Sequence, residues 1–116
     1  MRGDRPMRKI SSFDEFWPIY LRAHSNPACR ALHYAASISG IAAVALALLT
    51  GNGWWLLAGL LLSYAFAWVG HYRIENNVPL TFTHPWWSLI ADYRMFFLWA
   101  MGQLPRHLRA AHVEPT

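Results

Sequence analysis

From Ala31 to Tyr72 the chain carries no Lys, Arg, Asp or Glu, and Arg30 and Arg73 close the stretch at its two ends. A helix crosses a hydrocarbon core of roughly 30 Å with about 20 apolar residues, so there is length here for two crossings. Gly51-Asn52-Gly53 divides the stretch near its middle. Glycine and asparagine accept the positive φ angles of a tight reversal, and the tryptophans that follow, Trp54 and Trp55, suit a membrane interface. The spacing predicts spans over 31–50 and 54–72, joined as a transmembrane hairpin in an all-α integral membrane protein. The competing fold is a buried helical hairpin of a soluble protein. At 116 residues, 55% hydrophobic and 14% charged, the chain has too little left over to cover two helices that are apolar on every side.

Charge orients the hairpin. Six of the ten Lys and Arg residues precede the first span, four follow the second, and the short connection has none. By the positive-inside rule both termini face the cytoplasm, in a bacterial inner membrane or an endoplasmic reticulum membrane. The formal charge of +4 then reflects topology and anionic headgroups, and nucleic acid is not an expected partner because no basic run interleaves with an aromatic platform. A cleaved signal peptide is not expected, since about thirty residues precede the first apolar run. The lone Cys29 has no partner for an internal disulfide or a cysteine-based zinc site. Self-association is compatible with the sequence and is not specified by it.

The flanks read as surface elements of a single domain. Residues 1–10 hold Arg2, Arg5, Arg8 and Lys9 with Gly3 and Pro6, the composition of a solvated tail. Ser12 and Glu15 fit a capping box, after which Phe13, Phe16, Trp17, Tyr20, Leu21 and His24 share one face of an interfacial amphipathic helix over 12–24, with Pro18 as a source of kinking. Asn76, Asn77 and Pro79 break the chain after the second span, and Pro85 opens a Trp-rich helix over 85–103. Asp92 and Arg94 near its centre are costly at bilayer depth, which favours an interfacial or re-entrant helix over a third span. Residues 105–116 read as a solvated end, with His107 and His112 outside any site.

The remaining histidines carry the chemistry. His33 and His71 lie nineteen residues on either side of Asn52, so a hairpin turning there brings both to one depth, about 28 Å from the turn. Ala36, Gly40, Ala43 and Ala47 form a small-residue stripe whose register extends back to His33. Gly59, Ser63 and Ala67 form another that reaches His71 and then Glu75. Small residues let membrane helices approach closely, so the two imidazoles are expected to face one another across the seam. His24, on the apolar face of the first helix, and His84, beside Pro85, flank the same interface. Imidazoles suit iron, zinc, copper or nickel, and the set does not choose among them. Histidines bound only to headgroups or carbonyls remain the alternative.

From Ser12 to Leu104 the chain resembles the 2-hydroxy fatty acid dioxygenase family of membrane proteins. The resemblance rests on Ser12-Phe13-Asp14-Glu15-Phe16-Trp17-Pro18-Ile19-Tyr20-Leu21, on His24 with Asn26-Pro27 and Arg30, and on Leu32-His33. It continues through Gly70-His71, Glu75-Asn76-Asn77-Val78-Pro79, Phe82, His84-Pro85-Trp86-Trp87-Ser88-Leu89 and Asp92. It implies an Fe(II) enzyme of fatty acid α-oxidation that uses dioxygen to shorten a 2-hydroxy fatty acid by one carbon. Carried over residue by residue, the metal falls to His24, His33, His71 and His84, and Glu75 and Asp92 become candidate catalytic groups. Tyr34-Ala35-Ala36-Ser37, Val78 and Leu80 depart from the family pattern, a difference that bears on acyl length and leaves the histidines intact.

An interfacial site lets an acyl chain lie among the spans while its carboxylate stays near water, where Arg30 or Arg73 is placed to pair with it. Three other functions fit the same residues: a haem-binding electron carrier with two axial histidines, a metal-free lipid-binding or scaffold protein, and a zinc hydrolase with Glu75 as base beside a metal-bound water.

Overall fold

The computed structural model describes residues 10–114, and among these all regular structure is helical. The tail expected over 1–10 lies outside the described residues except for Ile10, which packs partly buried against the core.

Helix α1 (Phe13–Ala23) starts at Ser12, whose hydroxyl accepts from the Glu15 amide at 3.2 Å. The return arm of the expected box is shifted by one residue. The Glu15 carboxylate accepts from the amide and the hydroxyl of Ser11, each at 3.1 Å. Pro18 lies inside the helix, which runs on to Ala23. The expected apolar face is the buried one, with Phe16, Trp17, Tyr20 and Leu21 covered.

Helices α2 (Pro27–Thr50) and α3 (Trp54–Val69) form the hairpin. Asn26 caps α2 by accepting from the Ala28 amide at 2.8 Å, with Pro27 in the first turn where a missing N–H costs nothing. At the other end Gly51 takes φ +70°, and Asn52 Oδ1 accepts from the Trp54 amide at 3.0 Å. Helix α3 continues as a π-helical segment, Gly70–Glu75, closed by Asn76 in the left-handed region at φ 59°. Both arms therefore extend beyond the expected spans at their histidine ends, from residue 27 and to residue 75.

The small-residue seam is the contact between the arms. Gly59 lies against Ala43 and the Ser39 carbonyl, Gly70 lies against Cys29, and the Ser63 hydroxyl donates to the Ala36 carbonyl at 2.8 Å. Away from the seam the arms are bare. Only 22% of the most apolar window of each arm is buried, where a core helix of a soluble protein would be mostly covered. Leu48, Leu49, Leu57, Leu61 and Leu62 face outward. A surface this apolar needs lipid or another apolar partner. Both arms are long and apolar enough to cross a membrane.

A 3₁₀ turn (Leu80–Phe82) leads into α4 (Pro85–Ala100), which packs on α1 and α2. Helix α4 stops three residues short of the expected 103 because Gly102 takes φ +73° and the Gln103 amide turns back to the Leu98 carbonyl at 2.8 Å.

The solvated end expected over 105–116 is corrected by the structure as far as residue 114. Leu104–Ala110 form α5, and Leu104, Leu108, Ala111 and Val113 are buried in a cluster with Phe16, Trp17, Tyr20, Leu21, Met95 and Leu98. His107 belongs to this packing, accepting from Trp17 Nε1 at 3.2 Å. The Leu104, Leu108 and Ala111 spacing puts one apolar stripe on a helix too short to look amphipathic in sequence.

Candidate metal centre

Three elements deliver one histidine each. His24 ends α1 and His33 lies in the second turn of α2. His71 lies in the π-helical extension of α3, a kind of segment that recurs at functional sites because it breaks the ordinary helical register. The three rings meet nearly edge to face with centroids 4.3, 4.5 and 4.9 Å apart, and each residue is at most 3% exposed. One nitrogen from each lies within 4.8 Å of the other two, and among the described residues this is the group able to hold a metal ion.

The outer nitrogens fix the protonation of the inner ones. His24 Nδ1 meets the Tyr20 carbonyl at 2.6 Å and His33 Nδ1 meets the Cys29 carbonyl at 2.9 Å. A carbonyl only accepts, so both Nδ1 atoms carry the proton. His71 Nδ1 meets Asn77 Oδ1 at 2.7 Å, and Asn77 Nδ2 donates to the Ala23 carbonyl at 3.0 Å, which fixes the amide with its oxygen towards the ring. All three Nε2 atoms are therefore bare lone pairs pointing inward.

His24 Nε2 and His33 Nε2 are 3.1 Å apart with no proton to share. Two facing lone pairs repel unless something positive lies near both. For a cation roughly 2.1 Å from each imidazole nitrogen, ligands at right angles are about 3 Å apart, so this pair fits a single ion, and the His71 nitrogen lies within 4.8 Å of both. Axial ligands on opposite faces of a haem would be about 4 Å apart with a macrocycle between them, and His24 and His33 are too close to be that pair.

Burial, followed by the neighbouring His33 and His71, holds His24 well below the usual histidine range, so it is neutral and ready to ligate. Tyr20 stacks on His24 with ring centroids 4.0 Å apart and donates its hydroxyl to Asp92 Oδ1. Burial pushes the Asp92 carboxyl up to about 7 against the opposing pull of that hydrogen bond. Burial first, and then the Asp92 charge, raise the Tyr20 hydroxyl well above its ordinary value.

The structure gives the other expected site residues different surroundings. Glu75 accepts from the Ser25 hydroxyl at 3.2 Å and from the Asn26 amide at 2.5 Å, which ties the α1–α2 connection to the end of α3. Arg30 is buried and donates to the carbonyls of His24 and Ser25 at 2.8 and 2.9 Å, clamping the same connection from below. Arg73 is exposed on the π segment. His84 stands apart from the three: its Nδ1 bonds Thr83 Oγ1 at 2.9 Å, and its ring stacks on Trp87 and tilts against Phe16. Asn77, which reads in sequence only as a helix breaker, orients His71, and Tyr20, which reads only as part of an apolar face, supports His24. Both occur within the motifs, but their contacts depend on helix ends that spacing does not show.

A cavity of about 230 Å³ opens beside the three histidines and runs between α2, α3 and α4. His24, His33, His71, Tyr20 and Asp92 line one end, and Val44, Leu56 and Leu60 line the other. Val44 lies three helical turns beyond His33, so the cavity extends about 16 Å along the hairpin. Arg30, Arg73, Glu75 and His84 do not line it.

A protein whose described residues are helical wherever they are regular, and which presents three buried imidazoles at the head of an apolar cavity, is defined as a class by those features. The comparison with known families narrows it. The 2-hydroxy-palmitic acid dioxygenase Mpo1-like family model matches residues 10–104, and the chain belongs to that family. Searches of curated proteins and of solved structures returned no match.

Proposed function

We propose that the chain is a membrane-embedded Fe(II)-dependent dioxygenase that shortens 2-hydroxy fatty acids by one carbon, with both termini on the cytoplasmic side. The observation that carries this reading is the convergence of three deprotonated Nε2 atoms at the head of an apolar cavity, in a chain whose family is described as a 2-hydroxy-palmitic acid dioxygenase.

In this reading His24, His33 and His71 hold the metal. When bound, Fe(II) would supply a site at which dioxygen is activated. Three protein ligands are compatible with open positions for small molecules, as in other mononuclear iron sites. The chain does the rest. Tyr20 O, Cys29 O and Asn77 Oδ1 hold the three rings in one tautomer, which removes any cost of turning them at the moment of binding. Arg30 and Glu75 act at a distance by fixing the connection that carries His24. Asp92, with its carboxyl near neutrality and its oxygen on Tyr20, is placed on the cavity wall to hold or release a proton. The apolar lining takes the acyl chain and excludes water from the reacting end.

The test is to incubate the purified protein in nanodiscs, loaded anaerobically with Fe(II), with 2-hydroxyhexadecanoic acid and air. A product one carbon shorter with matching dioxygen consumption is expected, and His33→Ala should abolish both. A protein that binds the acid but holds no stoichiometric metal and forms no product would put metal-free lipid binding in place of this reading.

A further inference from the structure

Hydroxyl groups in the hairpin helices usually find a carbonyl. Ser39 Oγ donates to the Ala35 carbonyl at 2.8 Å, Thr50 Oγ1 to the Leu46 carbonyl at 2.6 Å, and Ser63 Oγ crosses to Ala36. Two serines depart from this habit. Among the described residues, Ser37 Oγ and Ser88 Oγ are the buried side-chain oxygens without a hydrogen-bond partner. Ser37 is 2% exposed and Ser88 4%.

Both residues line the cavity that holds the three histidines, from opposite walls. Ser37 lies on α2 one turn beyond His33, and Ser88 lies on α4 one turn before Asp92. A buried hydroxyl with no partner costs about 1–3 kcal/mol, and a helical serine relieves that cost by turning to the carbonyl four residues back. Neither serine does so. Each therefore has no hydrogen bond to lose on turning towards a bound molecule.

The cationic alternatives for a polar head are engaged elsewhere or outside the cavity. Arg30 is held by backbone carbonyls, and Arg73 is on the outer surface. An oxygen-bearing head at the histidine end would therefore meet hydroxyls, not guanidinium groups.

We infer that Ser37 and Ser88 form a head-group subsite that donates hydrogen bonds to the oxygens of a 2-hydroxy carboxylate, and so select an α-oxygenated fatty acid over a plain one. This inference rests on the proposed function and names the residues that read the substrate's 2-oxygen. A pocket whose hydroxyls are unpaired without ligand rejects an analogue that leaves them unpaired.

The test measures binding of radiolabelled 2-hydroxyhexadecanoic and hexadecanoic acids to the protein in nanodiscs, after chelator treatment so that bound metal makes no contribution. The wild type should favour the hydroxy acid by about tenfold or more, and the S37A/S88A double variant should bring the two acids to within about twofold. Binding of plain hexadecanoic acid should survive in the double variant. Its melting temperature should be unchanged or higher, because an unpaired buried hydroxyl has been removed. No preference in the chelated wild type, a preference retained in the double variant, or a lowered melting temperature would overturn the subsite while leaving the dioxygenase reading in place. Metal-loaded wild type that binds neither acid would overturn both.

Discussion

Each histidine of the centre is held by an acceptor that touches only its outer nitrogen, and that is where substitutions should act most selectively. Asn77 is the one such acceptor supplied by a side chain. Asn77→Leu keeps the volume but lets the His71 ring turn, so metal affinity should fall about 10–100-fold with the fold retained, as read by competition with a metal-chelating dye. Unchanged affinity would mean that the hydrogen bond does not orient the ligand.

Asp92 supplies the pH dependence. Its carboxyl titrates at about 7 in the fold against an ordinary 3.8, so between those values the folded state keeps a proton that the unfolded chain has lost. The contribution of Asp92 to stability is therefore most favourable below about pH 4, declines as pH rises towards 7, and is flat above that. Asp92→Asn cannot ionise, so the metal-free variant should lose less stability than wild type between pH 4 and 7 in denaturant titrations; parallel profiles would contradict the assignment. At this scale the sequence was partly legible. The symmetric distances of His33 and His71 from Asn52 were visible, and so was the place of His24 on an apolar face. The outer acceptors were not, because two are backbone carbonyls and the third depends on a π turn.

Among the elements, the α2–α3 seam decides whether the histidines meet. Gly59 packs where an added Cβ would collide with the Ala43 methyl and crowd the Ser39 carbonyl, neither of which can swing aside. Gly59→Leu should therefore separate the arms, destabilising the protein by about 1–3 kcal/mol or more in detergent unfolding and weakening metal binding with it. Wild-type stability in that variant would mean that the arms do not pack through this stripe.

The seam was readable from the four-residue spacing of Gly59, Ser63 and Ala67, as was the reversal at Gly51-Asn52-Gly53. The register of that stripe reaches His71 and Glu75, but the π form of the segment that carries them was not readable, since a π turn leaves no periodic signature. Helix α5 was missed for a different reason: its apolar positions gain a partner only when α1 folds against them, and a seven-residue helix with Arg106, His107 and Arg109 on its other faces reads locally as polar.

For the whole molecule, the fold divides the work between two regions. A bare apolar hairpin supplies His33, His71 and two walls of the cavity, and a compact cluster of α1, α4 and α5 supplies His24 and the remaining wall. Neither region alone completes the cluster, which is why three separate stretches of sequence contribute one histidine each. The charge-free stretch from Ala31 to Tyr72 was enough to read the hairpin. The closing of the cluster over it depends on long-range packing of Phe16, Tyr20 and Met95, whose partners are distant in sequence.

In the proposed reading His24, His33 and His71, without His84, make one metal centre. The most direct measurement is elemental analysis of protein purified anaerobically in detergent and loaded with Fe(II), comparing wild type with His71→Ala and His84→Ala. About one iron per chain is expected in wild type and in His84→Ala, with none above background in His71→Ala and no haem absorption in any of them. Iron retained by His71→Ala, iron lost with His84, or no metal in the wild type would mean that these three histidines do not form the centre.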